Sequence, residues 1–220
     1  MHGTPHTVSD VMSTTVIAIG QEAPFREIVR IMQQWKVSAL PVLAGEGRVT
    51  GVVSEADLLP KEEFRDSDPS RKEQMSRLAD LAKAGAVTAG ELMTSPAVCV
   101  DPGASLARAA QVMARKHVKR LPVTDAGGLL VGIVSRSDLL KVFLRPDEEI
   151  EEEVRRAVGG LFAGTEPAVG VQVREGVVTL AGGIHDRSLV PVAARLARAV
   201  EGVVDVECTF TSPAPGQHLA

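Results

Sequence analysis

Two serine–aspartate pairs recur in this chain with the same spacing: Ser54 with Asp57, and Ser135 with Asp138. Each serine ends an apolar run that predicts a strand and comes just before a short predicted helix. The free N–H groups and the dipole at a helix start favour an anion such as a phosphate group. The aspartate lies about one turn further on, where an acidic side chain can accept hydrogen bonds from two neighbouring ribose hydroxyls. Both pairs are therefore candidate nucleotide-binding residues.

A structural role fits the same residues. A serine that caps a helix and an aspartate in the first turn stabilise the helix start by about 1 kcal/mol without any ligand. A single pair does not decide between a helix cap and a binding site, so both interpretations stay open.

The pairs belong to an internal repeat whose matched blocks lie 81 residues apart without a gap. Such a repeat determines the fold, because each copy forms the same unit. The matched blocks are Val-Met-Ser at 11–13 and Leu-Met-Thr at 92–94, Leu-Pro-Val at 40–42 and 121–123, and Gly-Val-Val-Ser-Glu-Ala-Asp at 51–57 and Gly-Ile-Val-Ser-Arg-Ser-Asp at 132–138.

Each copy predicts a β-α-β-β-α unit. In the second copy we expect the first helix to begin near Asp101 and Pro102, because proline is tolerated in a first turn. The predicted strands are 16–19, 40–43 and 49–54 in the first copy, and 98–100, 121–124 and 129–135 in the second.

Composition indicates a folded, soluble protein and argues against nucleic-acid binding. The 220 residues are 45% hydrophobic and 24% charged, with a mean hydropathy of +0.10. Only 3% are aromatic and the net charge is −4, so neither base stacking nor attraction to polyanions is favoured. The two cysteines form no C-x-x-C, so no zinc site is expected. No signal peptide or membrane span is recognisable, so we expect a cytoplasmic protein.

The two copies resemble a tandem pair of cystathionine-β-synthase (CBS) motifs, the Bateman module, over residues 8–144. In the first copy the resemblance rests on Asp-Val-Met-Ser, Val-Ser-Ala-Leu-Pro-Val and Gly-Val-Val-Ser-Glu-Ala-Asp. In the second it rests on Glu-Leu-Met-Thr, Val-Lys-Arg-Leu-Pro-Val and Gly-Ile-Val-Ser-Arg-Ser-Asp. The resemblance implies that the units pair, that a homodimer forms, and that two clefts bind adenosyl ligands such as AMP, ATP or S-adenosylmethionine.

The same resemblance implies roles for individual residues. The aspartate holds the ribose, the hydroxyl residue before it lies near ribose or phosphate, and residues ahead of Leu-Pro line the adenine and phosphate pocket. Carried over position by position, this gives one site with Val37, Ser38, Ala39, Val52, Ser54 and Asp57, and another with Val118, Lys119, Arg120, Ile133, Ser135 and Asp138.

The two predicted sites differ in charge. Lys119 and Arg120 can neutralise a phosphate, whereas Ser38 and Ala39 cannot. We therefore expect the second-copy site to bind a phosphorylated nucleotide more strongly, although a shared cleft would let either copy lend cations to the other. A solvated helix end is the structural alternative for Lys119 and Arg120.

Residues 61–88 form a charged segment between the copies. Their composition predicts a solvated loop that leads into a polar helix near 72–84. A simple connector explains this segment, and a regulatory arm is the alternative.

The last third of the chain predicts a separate α-β-β-α-β domain. Residues 147–212 carry 12 acidic and 6 basic side chains, a net charge of −6 against +2 for the rest. A hairpin turn at Glu175 and Gly176 and a one-faced helix ended by Gly202 give the order of elements. The segment resembles the BON domain, which implies contact with protein or, less favoured at this charge, with phospholipid. We interpret His185 and Asp186 as a turn capped by Asp186 rather than a catalytic pair.

Together these patterns predict a mixed α+β chain with a CBS motif at 8–60, a linker at 61–88, a second CBS motif at 89–145 and a BON-like domain at 147–212. We expect no catalysis, no metal and no obligatory cofactor. The predicted role is a regulatory sensor of AMP, ADP or ATP, with S-adenosylmethionine ranked below them, that passes occupancy to a protein partner through its dimer arrangement and BON-like domain. The alternative is a scaffold or membrane-associating protein with vestigial clefts.

Overall fold

The fold is taken from a computed structural model, which describes residues 6–65, 75–162, 169–184 and 186–211. These residues separate into two compact units that meet in sequence at Leu139 and Leu140. The helices are α1 (Val8–Val11), α2 (Phe25–Trp35), α3 (Glu55–Leu58), α4 (Pro60–Glu63), α5 (Leu78–Gly85), α6 (Ala89–Leu92), α7 (Leu106–Arg115), α8 (Arg136–Leu140), α9 (Asp147–Gly159) and α10 (Val190–Arg198). The strands are β1 (Ile19–Gly20), β2 (Ala39–Ala44), β3 (Arg48–Ser54), β4 (Arg120–Thr124), β5 (Leu130–Ser135), β6 (Gly170–Arg174), β7 (Val177–Gly183) and β8 (Asp205–Thr211).

The predicted repeat is visible in the first unit. In each copy an amphipathic helix is followed by an antiparallel hairpin, β2–β3 or β4–β5, and then by a short helix that begins directly after the serine. The hairpins have the same register, with Pro41 opposite Val52 and Pro122 opposite Ile133. The mixed α+β class predicted from the sequence is confirmed.

The opening strand of each copy is shorter than predicted. β1 has only two residues, paired in parallel with Val42 and Leu43, and its counterpart is a single bridge between Val100 and Val123. In each partner strand the residue just before the first paired residue is a proline: Pro41 precedes Val42, and Pro122 precedes Val123. Proline has no N–H to donate, so the ladder stops there.

The α7 helix also begins later than predicted. Ser105, rather than Asp101 and Pro102, is its N-cap, and the Ser105 hydroxyl accepts a hydrogen bond from the Arg108 amide at 3.2 Å. The Asp101 carboxylate instead accepts from the Gly103 amide at 2.7 Å and closes a turn before the helix. Asp, like Ser, can satisfy backbone donors locally, so composition alone did not separate the turn from the cap.

The two copies exchange their leading segments. Ser13 of the first copy bridges Ile133 of the second, and Thr94 of the second bridges Val52 of the first, with amide-to-carbonyl distances between 2.9 and 3.1 Å. These two bridges are equivalent under the 81-residue repeat. Each copy therefore contributes a segment to the sheet edge of the other, and neither forms its cleft alone.

The glycine that begins the last matched block of each copy, Gly51 or Gly132, makes this exchange possible. A Cβ atom on Gly51 would clash with the Met93 side chain, and one on Gly132 would clash with Met12. The Met of the first block and the Gly of the last block are therefore contact partners across the two copies. Close packing of this kind tolerates no additional methyl group without movement of the neighbour.

The second unit has the predicted α-β-β-α-β order. β6 and β7 form a hairpin whose turn residues, Glu175 and Gly176, both have positive φ, and β8 pairs in parallel with β7. Asp186 caps a 3-10 turn by accepting from the Ser188 amide at 2.9 Å, as predicted, while His185 lies outside the described residues. The core of this unit is formed by fully or largely buried residues of all five elements, among them Ile150, Val154, Val178, Leu180, Ala193, Ala197 and Val206.

Among the residues that the structure describes, no helix is long and apolar enough to cross a membrane.

Candidate functional site

A cleft of about 390 Å³ opens between the two copies in the first unit. This volume is in the range of small-molecule sites. The first copy contributes residues of β2, β3 and α3, and the second contributes residues that follow α6 and residues that join α7 to β4. The cleft is lined by Ser38, Ala39, Val52, Ser54, Glu55, Ala56, Asp57, Thr94, Ala97, Val98, Lys116, His117, Val118, Lys119 and Arg120.

Eight of the predicted site residues lie in this one cleft, but not in the groups that the sequence assigned. Asp57 and Ser54 of the first copy share it with Lys119 and Arg120 of the second. Val37 is not part of the lining and packs against the core of the first copy. Ile133, Ser135 and Asp138 are also absent from the lining of this cleft.

Lys119 and Arg120 of the second copy therefore lie in the same cleft as Asp57 of the first copy. The α2–β2 connection of the first copy meets β4 of the second, where Arg120 Nη2 donates to Ser38 Oγ at 2.6 Å. The sequence grouped Lys119 and Arg120 with Asp138 because it followed the repeat, whereas the cleft is built across it. Of the expectations from the sequence, the one that matches this arrangement is the alternative in which a shared cleft lets one copy contribute cations to the site of the other.

Asp57 is the most enclosed charged group of the cleft, with 7% of its surface exposed. Its Oδ2 atom accepts hydrogen bonds from the Ser54 amide and the Ser54 hydroxyl, both at 2.7 Å. Ser135 and Asp138 form the same pair of bonds at 2.9 and 2.6 Å. The helix-cap interpretation is therefore correct for both pairs. It leaves the second carboxylate oxygen, Oδ1, to bind other groups.

The Oδ1 atom of Asp57 has two partners that sequence reasoning missed. Lys83 of α5 forms an ion pair with it, and the Thr94 hydroxyl lies 3.4 Å away. The Thr94 hydroxyl recurs as Ser13 in the matched blocks, so the sequence did contain a signal for it. Lys83 lies outside the matched blocks, and no pattern in the chain distinguishes it from the other charges of the linker.

The cleft combines an apolar wall with a basic rim. The small aliphatic side chains Ala39, Val52, Ala97, Val98 and Val118 supply the wall. Lys116, His117, Lys119 and Arg120, which surround Val118 in the sequence, line the cleft where α7 ends and β4 begins. An apolar pocket with a few convergent polar groups is typical of a small-molecule site, and clustered cations favour an anionic ligand.

Family comparisons agree with this architecture. The CBS domain family matches residues 8–61 and 89–145, and the BON domain family matches residues 146–211. The chain belongs to the CBS domain family, with two CBS repeats and a C-terminal BON domain.

Relatives share the paired repeats. The chloroplastic CBS domain-containing protein CBSX2 of Arabidopsis thaliana is 27% identical over 159 residues, which cover 66% of this chain and 67% of that protein. The CBS domain-containing protein YhcV of Bacillus subtilis is 29% identical over 133 residues, which cover 60% of this chain and 82% of YhcV. The crystal structure of CBSX2 in complex with AMP superposes with a TM-score of 0.56 at 27% identity, covering 63% of this chain and 97% of that one.

Proposed function

We propose that this protein is a regulatory sensor that binds an adenine nucleotide in the cleft around Asp57. The observation that carries the proposal is the meeting of an enclosed aspartate from one copy with Lys119 and Arg120 from the other. A carboxylate accepts hydrogen bonds from ribose hydroxyls, and lysine and arginine neutralise phosphate. The similarity to CBSX2, which was crystallised in complex with AMP, supports the same ligand class.

Three parts of the cleft would hold three parts of the ligand. Asp57 and Thr94 face the ribose hydroxyls, and Lys119 and Arg120 lie on the side of the phosphate. The adenine ring packs against aliphatic side chains such as Val52, Val98 and Val118. This division explains how a chain with only 3% aromatic residues would bind a base without a stacking partner.

The basic rim favours phosphorylated nucleotides over S-adenosylmethionine. Three side chains on the rim, Lys116, Lys119 and Arg120, are cationic, and S-adenosylmethionine brings a sulfonium cation towards them. Like charges at short distance repel, and screening by solvent is incomplete inside a cleft. We therefore rank AMP, ADP and ATP above S-adenosylmethionine.

Calorimetric titration of the intact protein with AMP, ADP, ATP and S-adenosylmethionine tests the proposal. We expect at least one of the three phosphorylated nucleotides to bind with a Kd of about 1 mM or tighter, a free energy of about −4 kcal/mol. If none of the four ligands binds in that range, the cleft is not a nucleotide sensor. Binding of S-adenosylmethionine alone would contradict the argument from charge.

The proposal includes a regulatory rather than a catalytic role. Among the described residues that line the cleft there is one histidine, His117, and no cysteine, and the hydroxyls of Ser38 and Ser54 are hydrogen-bonded to Arg120 and Asp57. Such a lining is suited to binding, and we assign the hydroxyl–carboxylate contact of Ser54 with Asp57 to the cap of α3 rather than to an activated nucleophile. Incubation of ATP with the protein is expected to leave the nucleotide intact, and steady hydrolysis would contradict this part.

Transmission of the signal is also part of the proposal. We infer a cytoplasmic homodimer that passes nucleotide occupancy, through its dimer arrangement and the BON domain, to a protein partner. A ligand shifts such an equilibrium only by binding one arrangement more tightly than the other. Sedimentation velocity with and without AMP is expected to show a dimer whose shape or stability depends on the nucleotide. Sedimentation with anionic liposomes, in the absence of any nucleotide response, would favour the membrane-associating alternative.

A further inference from the structure

The carboxylate of Asp57 already has four donor groups around it, three at close hydrogen-bond distance and the Thr94 hydroxyl at 3.4 Å. An ionised carboxylate offers about four acceptor positions, two on each oxygen. The Ser54 amide and hydroxyl use both positions on Oδ2, and Lys83 and Thr94 use those on Oδ1. A ligand hydroxyl can therefore reach Asp57 only by replacing one of these donors. The two Ser54 bonds cap α3, so the groups on Oδ1 are the ones that can leave at smaller cost.

The α5 helix, which lies between the two copies in sequence, places Lys83 next to Asp57. This helix rests on α3 and α4 through polar contacts. Lys61 Nζ donates to the Ala84 carbonyl at 2.8 Å, and Arg77, the N-cap of α5, forms an ion pair with Glu63 of α4. The segment predicted from sequence as a solvated connector is thus tied to the candidate site at its C-terminal end.

The α5 helix is attached without burying an apolar core. None of its residues is buried, and Leu78 is 66% exposed. The Arg77 ion pairs are partly exposed and contribute about 0 to 1 kcal/mol each, and an isolated helix of eight residues is only marginally stable in water. The Lys83–Asp57 pair is largely buried, with its side chains 22% and 10% exposed, so it is the main contact that release of α5 must replace. A ligand hydroxyl that takes the place of Lys83 on Asp57 supplies that replacement.

We propose that Lys83 is a latch, which occupies on Asp57 the position that a ribose hydroxyl of the ligand requires. Nucleotide binding displaces the Lys83 ammonium and frees α5 from α3 and α4. The inference rests on the proposed nucleotide site and adds the means by which that site signals its occupancy. Because Lys83 lies outside the matched blocks, the latch acts only on Asp57 of the first copy. The two CBS repeats therefore differ in this contact.

The test uses Lys83→Met with two ligands, AMP and 2′,3′-dideoxy-AMP, titrated by calorimetry. The dideoxy ligand has the same base and phosphate but no hydroxyl to compete with Lys83. Removal of a nearby cation weakens attraction of the phosphate in both ligands equally, so the ratio of their two Kd values isolates the competition. If the latch is closed about nine-tenths of the time, Lys83→Met raises the preference for AMP over the dideoxy ligand about tenfold.

Lys116→Met is the matched control. It removes the same charge from the rim of the cleft, where Lys116 has no hydrogen bond to Asp57 among the described contacts. It is expected to weaken both ligands and to leave their ratio unchanged. An unchanged ratio in Lys83→Met, or a lower one, overturns the latch while leaving the nucleotide site in place.

A measurement on the unaltered protein avoids dependence on the folding of a variant. Hydrogen exchange of the amides in α5 is expected to accelerate when AMP saturates the protein, because the helix is freed. Unchanged or slower exchange there, with AMP bound, overturns the latch. If AMP binds neither the unaltered protein nor Lys83→Met, the proposed nucleotide site itself fails, since a closed latch cannot account for the variant.

Discussion

Asp57 and Asp138 occupy equivalent places in the two copies, form the same serine cap, and have different surroundings. Asp57 is buried in the lining of the cleft, and its Oδ1 atom accepts hydrogen bonds from Lys83 and Thr94. Asp138 is half-buried and lies outside that lining. The repeat therefore duplicates the backbone frame and the helix cap, whereas the charge around each aspartate depends on segments that the other copy and the linker supply.

The largest effect is expected from adding a methyl group at the two equivalent glycine–methionine contacts between the copies. Gly51→Ala and Gly132→Ala each force a Cβ atom into a methionine of the other copy. Overpacking of a close contact costs about 1–3 kcal/mol. We expect both variants to lower the free energy of unfolding in urea by amounts in this range.

Second substitutions show whether the contact itself is the cause. Met93→Ala should restore part of the stability lost in Gly51→Ala, and Met12→Ala should do so for Gly132→Ala, because each removes the clashing side chain. The double variants then lose less than the sum of the single changes. A loss confined to one of the two glycines, or no restoration, would contradict the equivalent exchange of segments.

Removal of Arg120 tests whether the cations of the second copy bind the phosphate of the ligand. Arg120→Ala takes a guanidinium from the cleft, and a hydrogen bond to a charged group contributes about 1.5–3 kcal/mol. We expect calorimetry to give a Kd for AMP that is about tenfold weaker, the lower end of that range, and a Kd for uncharged adenosine that changes little. Arg115→Ala, which removes an exposed charge at the end of α7 but outside the lining, is the control. Equal losses for AMP and adenosine would show that Arg120 supports the structure rather than the phosphate.

The smallest expected effect concerns a second pair of equivalent carboxylates, Asp10 and Glu91. Backbone amide donors, from Thr7 to Asp10 at 2.6 Å and from Val87 to Glu91 at 2.7 Å, hold the pKa of each carboxyl below its usual value. A pKa that is lower in the folded state adds stability above the unfolded-state pKa, and that stability is lost as the pH falls through the folded pKa. Carbon NMR titration should find both groups below about 3.9 and 4.3. Ordinary values at either position would mean that the cap is absent in solution.

The sequence was sufficient for most of the fold because local pattern and repeat agree. Alternating apolar residues predicted the hairpins, glycines marked the turns, and the 81-residue offset predicted two copies of one unit. The serine and aspartate of each copy were recognised, and the structure adds that they cap a helix. The separate α-β-β-α-β domain followed from the same kind of pattern.

The assembly of the site was less predictable, because it depends on contacts between residues far apart in sequence. Ser38 and Arg120 meet only when the copies have exchanged their leading segments. Lys83 reaches Asp57 only when α5 docks on α3 and α4. Neither contact has a local signature, and the repeat grouped Lys119 and Arg120 with Asp138, whereas the structure places them in one cleft with Asp57.

A matched pair of variants tests whether the cleft around Asp57 is the nucleotide site. Asp57→Ala and Asp138→Ala remove the same helix cap, and Asp57→Ala also removes the partner of Lys83, so thermal unfolding is measured first to establish that both variants are folded. Calorimetric titration with AMP should show binding weakened about tenfold or more, over 1.4 kcal/mol, in Asp57→Ala and nearly unchanged in Asp138→Ala. The reverse order, or equal losses in both variants, would contradict the account.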